Sequence, residues 1–319
     1  MKPSLVILAA GLSRRYGSLK QLAAVGPRGE SLLDYTLYDA VRAGFGHAVF
    51  VVSDGGRNEV KRHVQRLTGD AMKCTFVVQR LTDLPGGFTA PADRVRPWGT
   101  GHALLAAQPV VDRPFVVLNA DDFYGRGALE AMAAHLRSLG DTGANEFAMP
   151  TYRLDRTLAS AGGVSRAICQ VAPDGRLTGV QELLDVRRVA GTIQGRPALG
   201  GNLPALSGDE QVSMNIWALT PAIFPLLRER LSDFIDSRCS DPEAEFYLSA
   251  AIDALIRAGS ITVQAIPTQE RAFGVTFAED LGPCAHRVAD LISLSEYPHD
   301  LATAFAGMAA HNAQESTCS

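Results

Sequence analysis

Residues 4–9 read as an apolar strand that breaks at Gly11, the pattern of a strand buried on both faces. Residues 31–43 change period: Leu33, Leu37, Ala40 and Val41 recur at helical spacing, and Gly44 stands where a helix would stop. The alternation continues. Strands are predicted at 47–52, 75–78 and 114–118, and helices at 58–67, 100–107 and 127–139. Such a βαβα rhythm predicts an α/β fold, with a parallel sheet covered on both faces and right-handed crossovers.

Beyond residue 150 the pattern is less regular. Segments 168–171 and 177–181 flank Pro173-Asp174-Gly175, a turn sequence, and predict a hairpin. Residues 186–208, rich in Gly and Pro, read as a mobile loop. A strand is expected at 212–219, a helix at 243–258 and a strand at 261–266. From about 308 the residues are small and polar and are expected to fray. The chain shows no internal repeat and no linker between its halves. It reads as one domain over 1–295, with its more regular part at about 1–150 and its less regular part at about 151–295, and a tail at 296–319.

Composition narrows the function. The chain has 319 residues, 46% of them hydrophobic and 20% charged, as in folded soluble chains. Thirty basic against 34 acidic residues leave a net charge of −4, so no overall field recruits nucleic acid or an anionic membrane. An anionic ligand must then be held by local groups, which points to a small molecule. The five cysteines are scattered and form no CxxC pair, which suits a reducing compartment. No apolar stretch approaches the roughly 18 residues of a membrane helix, and the six-residue run Leu5 to Ala10 is followed by Arg14 and Arg15, an order that does not suit a signal peptide. A cytoplasmic protein is expected.

The most informative stretch is Leu8-Ala9-Ala10-Gly11-Leu12-Ser13-Arg14-Arg15-Tyr16-Gly17-Ser18-Leu19-Lys20. A strand that ends in small residues lets a ligand approach the backbone, whose N–H groups can cradle phosphate while Arg15 and Lys20 supply positive charge. The spacing fits neither a Walker loop nor a dinucleotide fingerprint. A plain glycine turn carrying two solvated cations is the alternative. Farther on, Phe115-Val116-Val117-Leu118-Asn119-Ala120-Asp121-Asp122 is an apolar strand ending in paired carboxylates, at the sheet edge where α/β proteins bind ligands. A hard carboxylate there suits Mg²⁺. Asp122 reads equally as a turn or capping residue.

The first loop resembles the signature of GT-A-like nucleotidyltransferases, enzymes that move a nucleoside monophosphate from a triphosphate to a phosphorylated acceptor and release pyrophosphate. The short interval from Arg15 to Lys20 is most similar to molybdenum-cofactor cytidylyltransferases. Trp98-Gly99-Thr100-Gly101-His102-Ala103-Leu104 resembles a segment of bacterial N-acetylglucosamine-1-phosphate uridylyltransferases. The resemblance implies that Asp121 holds the catalytic magnesium, and that Leu8, Ala10, Gly11, Ser13, Gly99 and Thr100 border the nucleotide. It also implies that Gln79 pairs with the base, across an insertion of about fifteen residues that includes Pro85-Gly86-Gly87. The alternative for Gln79 is an ordinary strand end. His102 reads as a support for the helix start and not as a base.

Later segments continue the likeness. Gly175-Arg176-Leu177-Thr178-Gly179-Val180-Gln181-Glu182 is similar to a hairpin whose glutamate binds sugar hydroxyls, and Gly163 and Asn215 match backbone and side-chain contacts to the sugar. A solvated hairpin residue and a buried turn former are the plain readings of Glu182 and Asn215. Phe273-Gly274-Val275-Thr276 falls where a second metal ligand is expected, and the sequence offers none there; Glu270, Asp280 or water are the candidates. The resemblance therefore implies a Rossmann-like GT-A fold, mostly parallel with a mixed β extension. It implies transfer from UTP to a sugar 1-phosphate, with Arg15, Lys20 and Asp121 catalytic. Two other readings stay open: a CTP-dependent enzyme acting on a phosphocholine-like acceptor, caged by Trp98, Phe88 and Trp217, and a non-catalytic nucleotide-sugar sensor. The oligomeric state is not legible.

Overall fold

A computed structural model describes residues 2–11, 14–15, 18–139, 145–159, 162–201 and 205–317. The first half runs β1 (Ser4–Ala9), β2 (Arg14–Arg15), β3 (Ser18–Leu19), α1 (Leu32–Ala43), β4 (His47–Val52), α2 (Arg57–Thr68), β5 (Lys73–Val78), α3 (Thr100–Ala106), β6 (Phe115–Asn119), β7 (Asp122–Phe123) and α4 (Arg126–Ser138). The second half follows as β8 (Glu146–Arg153), β9 (Val164–Val171), β10 (Leu177–Val189), β11 (Thr192–Pro197), β12 (Gln211–Ser213) and β13 (Trp217–Leu219). It ends with α5 (Ile223–Arg238), α6 (Leu248–Arg257), β14 (Thr262–Pro267), β15 (Phe273–Gly274), α7 (Leu281–Ser293) and α8 (Leu301–Thr317).

Eleven strands form one sheet in the order β11-β10-β9-β12-β8-β13-β6-β1-β4-β5, with β14 also paired to β8. The block β6-β1-β4-β5 is parallel, and β14 runs parallel to β8. The pairings from β13 out to β11 are antiparallel. This is the expected parallel core with a mixed extension. In β1, Leu5 and Ile7 point into one hydrophobic core while Val6 points into the other, so both faces are covered. Burial on both sides explains why the strand reads as continuously apolar instead of alternating. Helix α1 begins where the Asp34 carboxylate accepts the Ser31 backbone N–H at 2.8 Å, and ends on Gly44, whose φ of 92° suits a residue without Cβ.

Four expectations need correction. Residues 186–208 are not an open loop: β10 extends to Val189 and pairs with β11, so much of that segment is a hairpin. The strand expected over 212–219 is broken into β12 and β13, because Asn215 takes φ 58° and redirects the chain. The helix expected from 243 starts at Leu248, since residues 246–248 are drawn onto residues 98–101 by non-local hydrogen bonds. The end of the chain is helical to Thr317 where fraying was expected, and residues 297–305 belong to the core. Tyr297, Leu301 and Phe305 are buried, the Tyr297 hydroxyl donates to Asp39 at 2.5 Å, and the Phe305 ring meets Tyr38 edge-on.

Candidate active site

Beyond the C-terminal ends of β1, β5 and β6 lies a cavity of about 590 Å³, where an open α/β sheet places its ligands. Leu8, Ala10, Gly11, Lys20, Gln79, Gly99, Thr100 and Asp121 line it, so most of the sequence-predicted nucleotide residues converge on one wall. A second cavity of about 300 Å³ adjoins it over Ser53, Asp54 and Gly55 after β4, and shares Ala10, Gly11, Gln79, Val95 and Pro97. Ser13 lies outside the described residues. The backbone of Arg15 pairs with Ser18 in the short β2–β3 hairpin.

Lys20 opens a short turn after this hairpin, and the turn is anchored where the buried Gln21 amide donates to the Ala9 carbonyl at 2.9 Å. That anchoring brings Lys20 Nζ to 2.8 Å from Asp121 Oδ2, with both side chains still partly open to the cavity. Asp121 and Asp122 have separate fates. Asp122 accepts from the Asn119 amide at 2.9 Å, and its desolvated setting beside Asp121 pushes its pKa up to about 6. The two carboxylates therefore differ in partner and position: Asp121 meets Lys20 on the cavity wall, and Asp122 is turned onto Asn119.

A directed row of hydrogen bonds lies behind them. Trp217 Nε1 donates to Asn215 Oδ1 at 3.1 Å, Asn215 Nδ2 donates to Asn119 Oδ1 at 2.9 Å, and Asn119 Nδ2 donates to Asp122. The amide of Asn215 is thus engaged at both ends, and the residue does not line this cavity. Gly163 is likewise not on the cavity; a Cβ there would collide with Asp185 Oδ1, so its smallness serves backbone packing. Glu182 faces Ala167 across β9–β10 and accepts from the Ser249 hydroxyl at 2.5 Å. Desolvation raises its pKa, while Ser249 and Arg166 oppose the rise.

Gly99 and Gly101 are needed for a contact the sequence did not show. At Gly99, with φ 103°, a Cβ would lie 2.7 Å from the Phe246 carbonyl oxygen. Gly101 N–H donates to that oxygen at 2.9 Å, and the Thr100 hydroxyl accepts from Leu248 N–H at 3.0 Å. The start of α3 is therefore stitched to the chain before α6, and its Gly101 N–H is not free for an anion. His102, 1% exposed, is held between the Gln79 amide and the Asp83 carbonyl.

Three charged residues were missed. Arg166, buried inside β9, donates to Ser165 O at 2.7 Å and to Thr157 O, and its charge acts on both Asp122 and Glu182. An arginine on the same strand face as buried Val164 was the available signal. Arg96 and Glu245 line the cavity and pair with each other at 3.3 Å. They were hidden by the insertion and by the helix assigned to 243–258.

The donor set suits magnesium on one side only. Asp121 presents a carboxylate to the cavity, and Mg²⁺ commonly takes one or two carboxylates, completing its shell with water and phosphate oxygens. The two proposed protein ligands fail: Glu270 accepts from Gly127 N–H at 2.8 Å, and Asp280 accepts from Thr276 and Phe277 N–H at 2.9 and 2.6 Å. Both carboxylates are used by the fold. Among the described residues no cluster of three or more His, Cys, Asp or Glu is placed to hold a metal, and no helix is long and apolar enough to cross a membrane. Trp98 and Trp217 are wholly buried and cannot form the aromatic cage of a phosphocholine site.

The fold is shared with nucleotidyltransferases of known structure. The inositol-1-phosphate CTP transferase from T. maritima superposes with a TM-score of 0.59 at 12% identity, over 91% of this chain and 97% of that one. A UDP-glucose pyrophosphorylase complexed with UDP-glucose gives 0.58 at 13% identity, over 91% and 99%. The UDP-glucose pyrophosphorylase from Acinetobacter baumanii gives 0.57 at 16% identity, over 98% and 99%. At these identities the likeness speaks for the fold. No curated protein matches the sequence. Residues 5–165, just over half of the chain, match the MobA-like NTP transferase domain, and they carry Lys20, Gln79 and Asp121 of the cavity; the chain belongs to this family and is a nucleotidyltransferase.

Proposed function

We propose that the protein transfers a nucleoside monophosphate, from UTP in preference, to a sugar 1-phosphate, giving an NDP-sugar and pyrophosphate. The observation that carries this is the Lys20–Asp121 pair, 2.8 Å apart at the C-terminal edge of the parallel block, on the wall of a cavity large enough for a nucleotide. The likeness to a UDP-glucose pyrophosphorylase and to an inositol-1-phosphate CTP transferase supports a polyhydroxylated acceptor carrying a phosphate.

In this reading an oxygen of the acceptor phosphate attacks the α-phosphorus, the bond to the β-phosphate oxygen breaks, and pyrophosphate leaves in line. No protein nucleophile is needed, so the residues work by positioning and by neutralising charge. Asp121 would hold magnesium, which would supply positive charge to offset that of the phosphates. Lys20 places an ammonium beside the same carboxylate and steadies the α-phosphate. Arg15 meets the departing pyrophosphate. Leu8, Ala10, Gly11, Gly99 and Thr100 give the donor a close-fitting wall, and Gln79 reads its base. Val95, 79% exposed on the wall shared by the two cavities, offers that base an apolar contact.

For the acceptor, the retained side chain is Glu182, whose carboxylate accepts from Ser249 and lies in the field of Arg166. Pyrophosphate release from four nucleoside triphosphates, each paired with glucose 1-phosphate, inositol 1-phosphate and phosphocholine, tests the proposal. Turnover with UTP and a sugar phosphate, abolished by EDTA, is the expected result. Turnover with phosphocholine alone overturns the acceptor class, and none with any pair supports the sensor reading.

A further inference from the structure

Gln79 follows β5 and is held to the sheet where its N–H donates to the Val52 carbonyl at 3.0 Å. Its side-chain nitrogen lies 3.3 Å from the Gly99 carbonyl oxygen and 2.9 Å from His102 Nδ1. The other ring nitrogen, His102 Nε2, lies 2.8 Å from the Asp83 carbonyl oxygen. Carbonyl oxygens only accept, so both ends of this row are fixed. The Gln79 atom facing Gly99 must be the amide nitrogen. That nitrogen also donates to Nδ1, which must carry a lone pair, and the ring proton must sit on Nε2 to meet Asp83. Both amide hydrogens of Gln79 are then spent on the protein. What is left to face a ligand is Oε1, on a residue that borders both cavities.

We infer that His102 is a positioning residue that locks the Gln79 amide in one orientation, so that Gln79 meets the nucleobase as a hydrogen-bond acceptor only. The inference deepens the nucleotide reading and rests on it. A base edge that donates at the meeting point complements Oε1. Uracil does so with its ring N3–H, whereas cytosine presents a lone pair at the same ring position. An unrestrained glutamine would turn its amide over and serve either base, because the two ends of the group differ little in shape. His102 opposes that rotation, and at 1% exposure water cannot take its place. Burial also favours the neutral ring, and the charged groups that act on it, Asp83 and Arg94, pull in opposite directions. Asp83 belongs to the insertion after β5, so the same hydrogen bond ties that loop to the base-reading residue.

Two measurements test this. In the full-length protein at neutral pH, long-range ¹H–¹⁵N spectra should show His102, identified by its loss in His102→Leu, as the Nε2–H form. Its Nδ1 resonance should move when Mg·UTP is added. An Nδ1–H or doubly protonated ring overturns the inference whatever the activity. Steady-state kinetics with UTP and CTP then read the consequence. His102→Leu should lower the ratio of kcat/KM for UTP over CTP by about five- to tenfold, the range set by one neutral hydrogen bond, with the change carried mainly by KM. His102→Asn, whose side-chain oxygen can still accept from Gln79, should recover part of the ratio. Equal losses for both nucleotides mean that His102 is only structural. A wild-type protein that binds neither Mg·UTP nor Mg·CTP in calorimetry overturns the nucleotide reading itself, a result distinct from wild-type discrimination that survives the leucine substitution.

Discussion

In the parallel block, the side chains that reach the cavity leave from the ends of strands or from the turns just after them. Gly11 follows β1, Lys20 follows the β2–β3 hairpin, Gln79 follows β5, and Asp121 follows β6. In the antiparallel extension, Arg166 and Glu182 stand inside β9 and β10, and Asn215 sits in the break between β12 and β13. The first arrangement leaves polar groups open to a ligand. The second ties them to one another: Arg166 acts on Asp122 and Glu182, Glu182 accepts from Ser249, and Asn215 joins Trp217 to Asn119. Strand ends can change chemistry without disturbing the sheet, whereas residues within strands must satisfy the sheet first. The donor side should accordingly respond to substitution in rate, and the acceptor side in affinity and stability.

The largest effect is expected at the end of β6. Asp121→Asn keeps size and polarity but removes the charge that holds a divalent cation. The rate should fall at least about a hundredfold, or ~2.7 kcal/mol of transition-state stabilisation. Thermal unfolding should hardly change. Near-normal turnover by the folded variant, or by the parent in EDTA, removes Asp121 from the chemistry. Lys20→Ala should follow with a loss of about ten- to a hundredfold, more in kcat than in KM, because the ammonium matters most as phosphate charge redistributes. A rise in KM alone would make Lys20 a ground-state ligand.

The contrast between the regions also explains what could be read from sequence. Strands β1 and β4 were legible to the residue because apolar runs buried on both faces tolerate no polar interruption, and the glycine at the end of α1 marks its stop. The cavity wall was legible for a related reason: small residues and carboxylates at strand ends form short, contiguous motifs. The extension hid its logic because it depends on distant partners. Nothing local in residues 243–247 reveals that Phe246 is held by Trp98 and Gly101, so the segment looked helical. Nothing near Asn215 shows that its amide reaches Asn119, and residues 212–219 were expected to form one unbroken strand. The Gly- and Pro-rich composition of 186–208 concealed a hairpin whose stability comes from pairing across β10.

Glu182 sharpens the comparison on the acceptor side. Glu182→Ala should weaken sugar-phosphate binding by about 1.5–3 kcal/mol, the cost of losing hydrogen bonds to a charged group. Calorimetry with Mg²⁺ and the nucleoside triphosphate should register little change. The Ser249 hydroxyl loses its acceptor in this variant, so a modest fall in thermal stability is also expected. Equal losses for donor and acceptor would make Glu182 a structural member of β10 and would move the sugar pocket elsewhere.

The smallest effect separates conformation from hydrogen bonding at Asn215. Its φ of 58° favours glycine, so Asn215→Gly keeps the chain reversal at little conformational cost. What the substitution removes is the amide that accepts from Trp217 Nε1 and donates to Asn119 Oδ1. Trp217 is wholly buried, so its indole N–H would be left without a partner, at a cost of about 1–2 kcal/mol in unfolding free energy. Asn119 retains its bond to Asp122, and the donor site should work at nearly its normal rate. Chemical denaturation with a constant m-value checks the stability term, and turnover at saturating substrates checks the rate. If glycine instead abolished acceptor binding while stability held, Asn215 would touch the sugar after all, in a conformation other than the one in which its amide bridges Trp217 and Asn119.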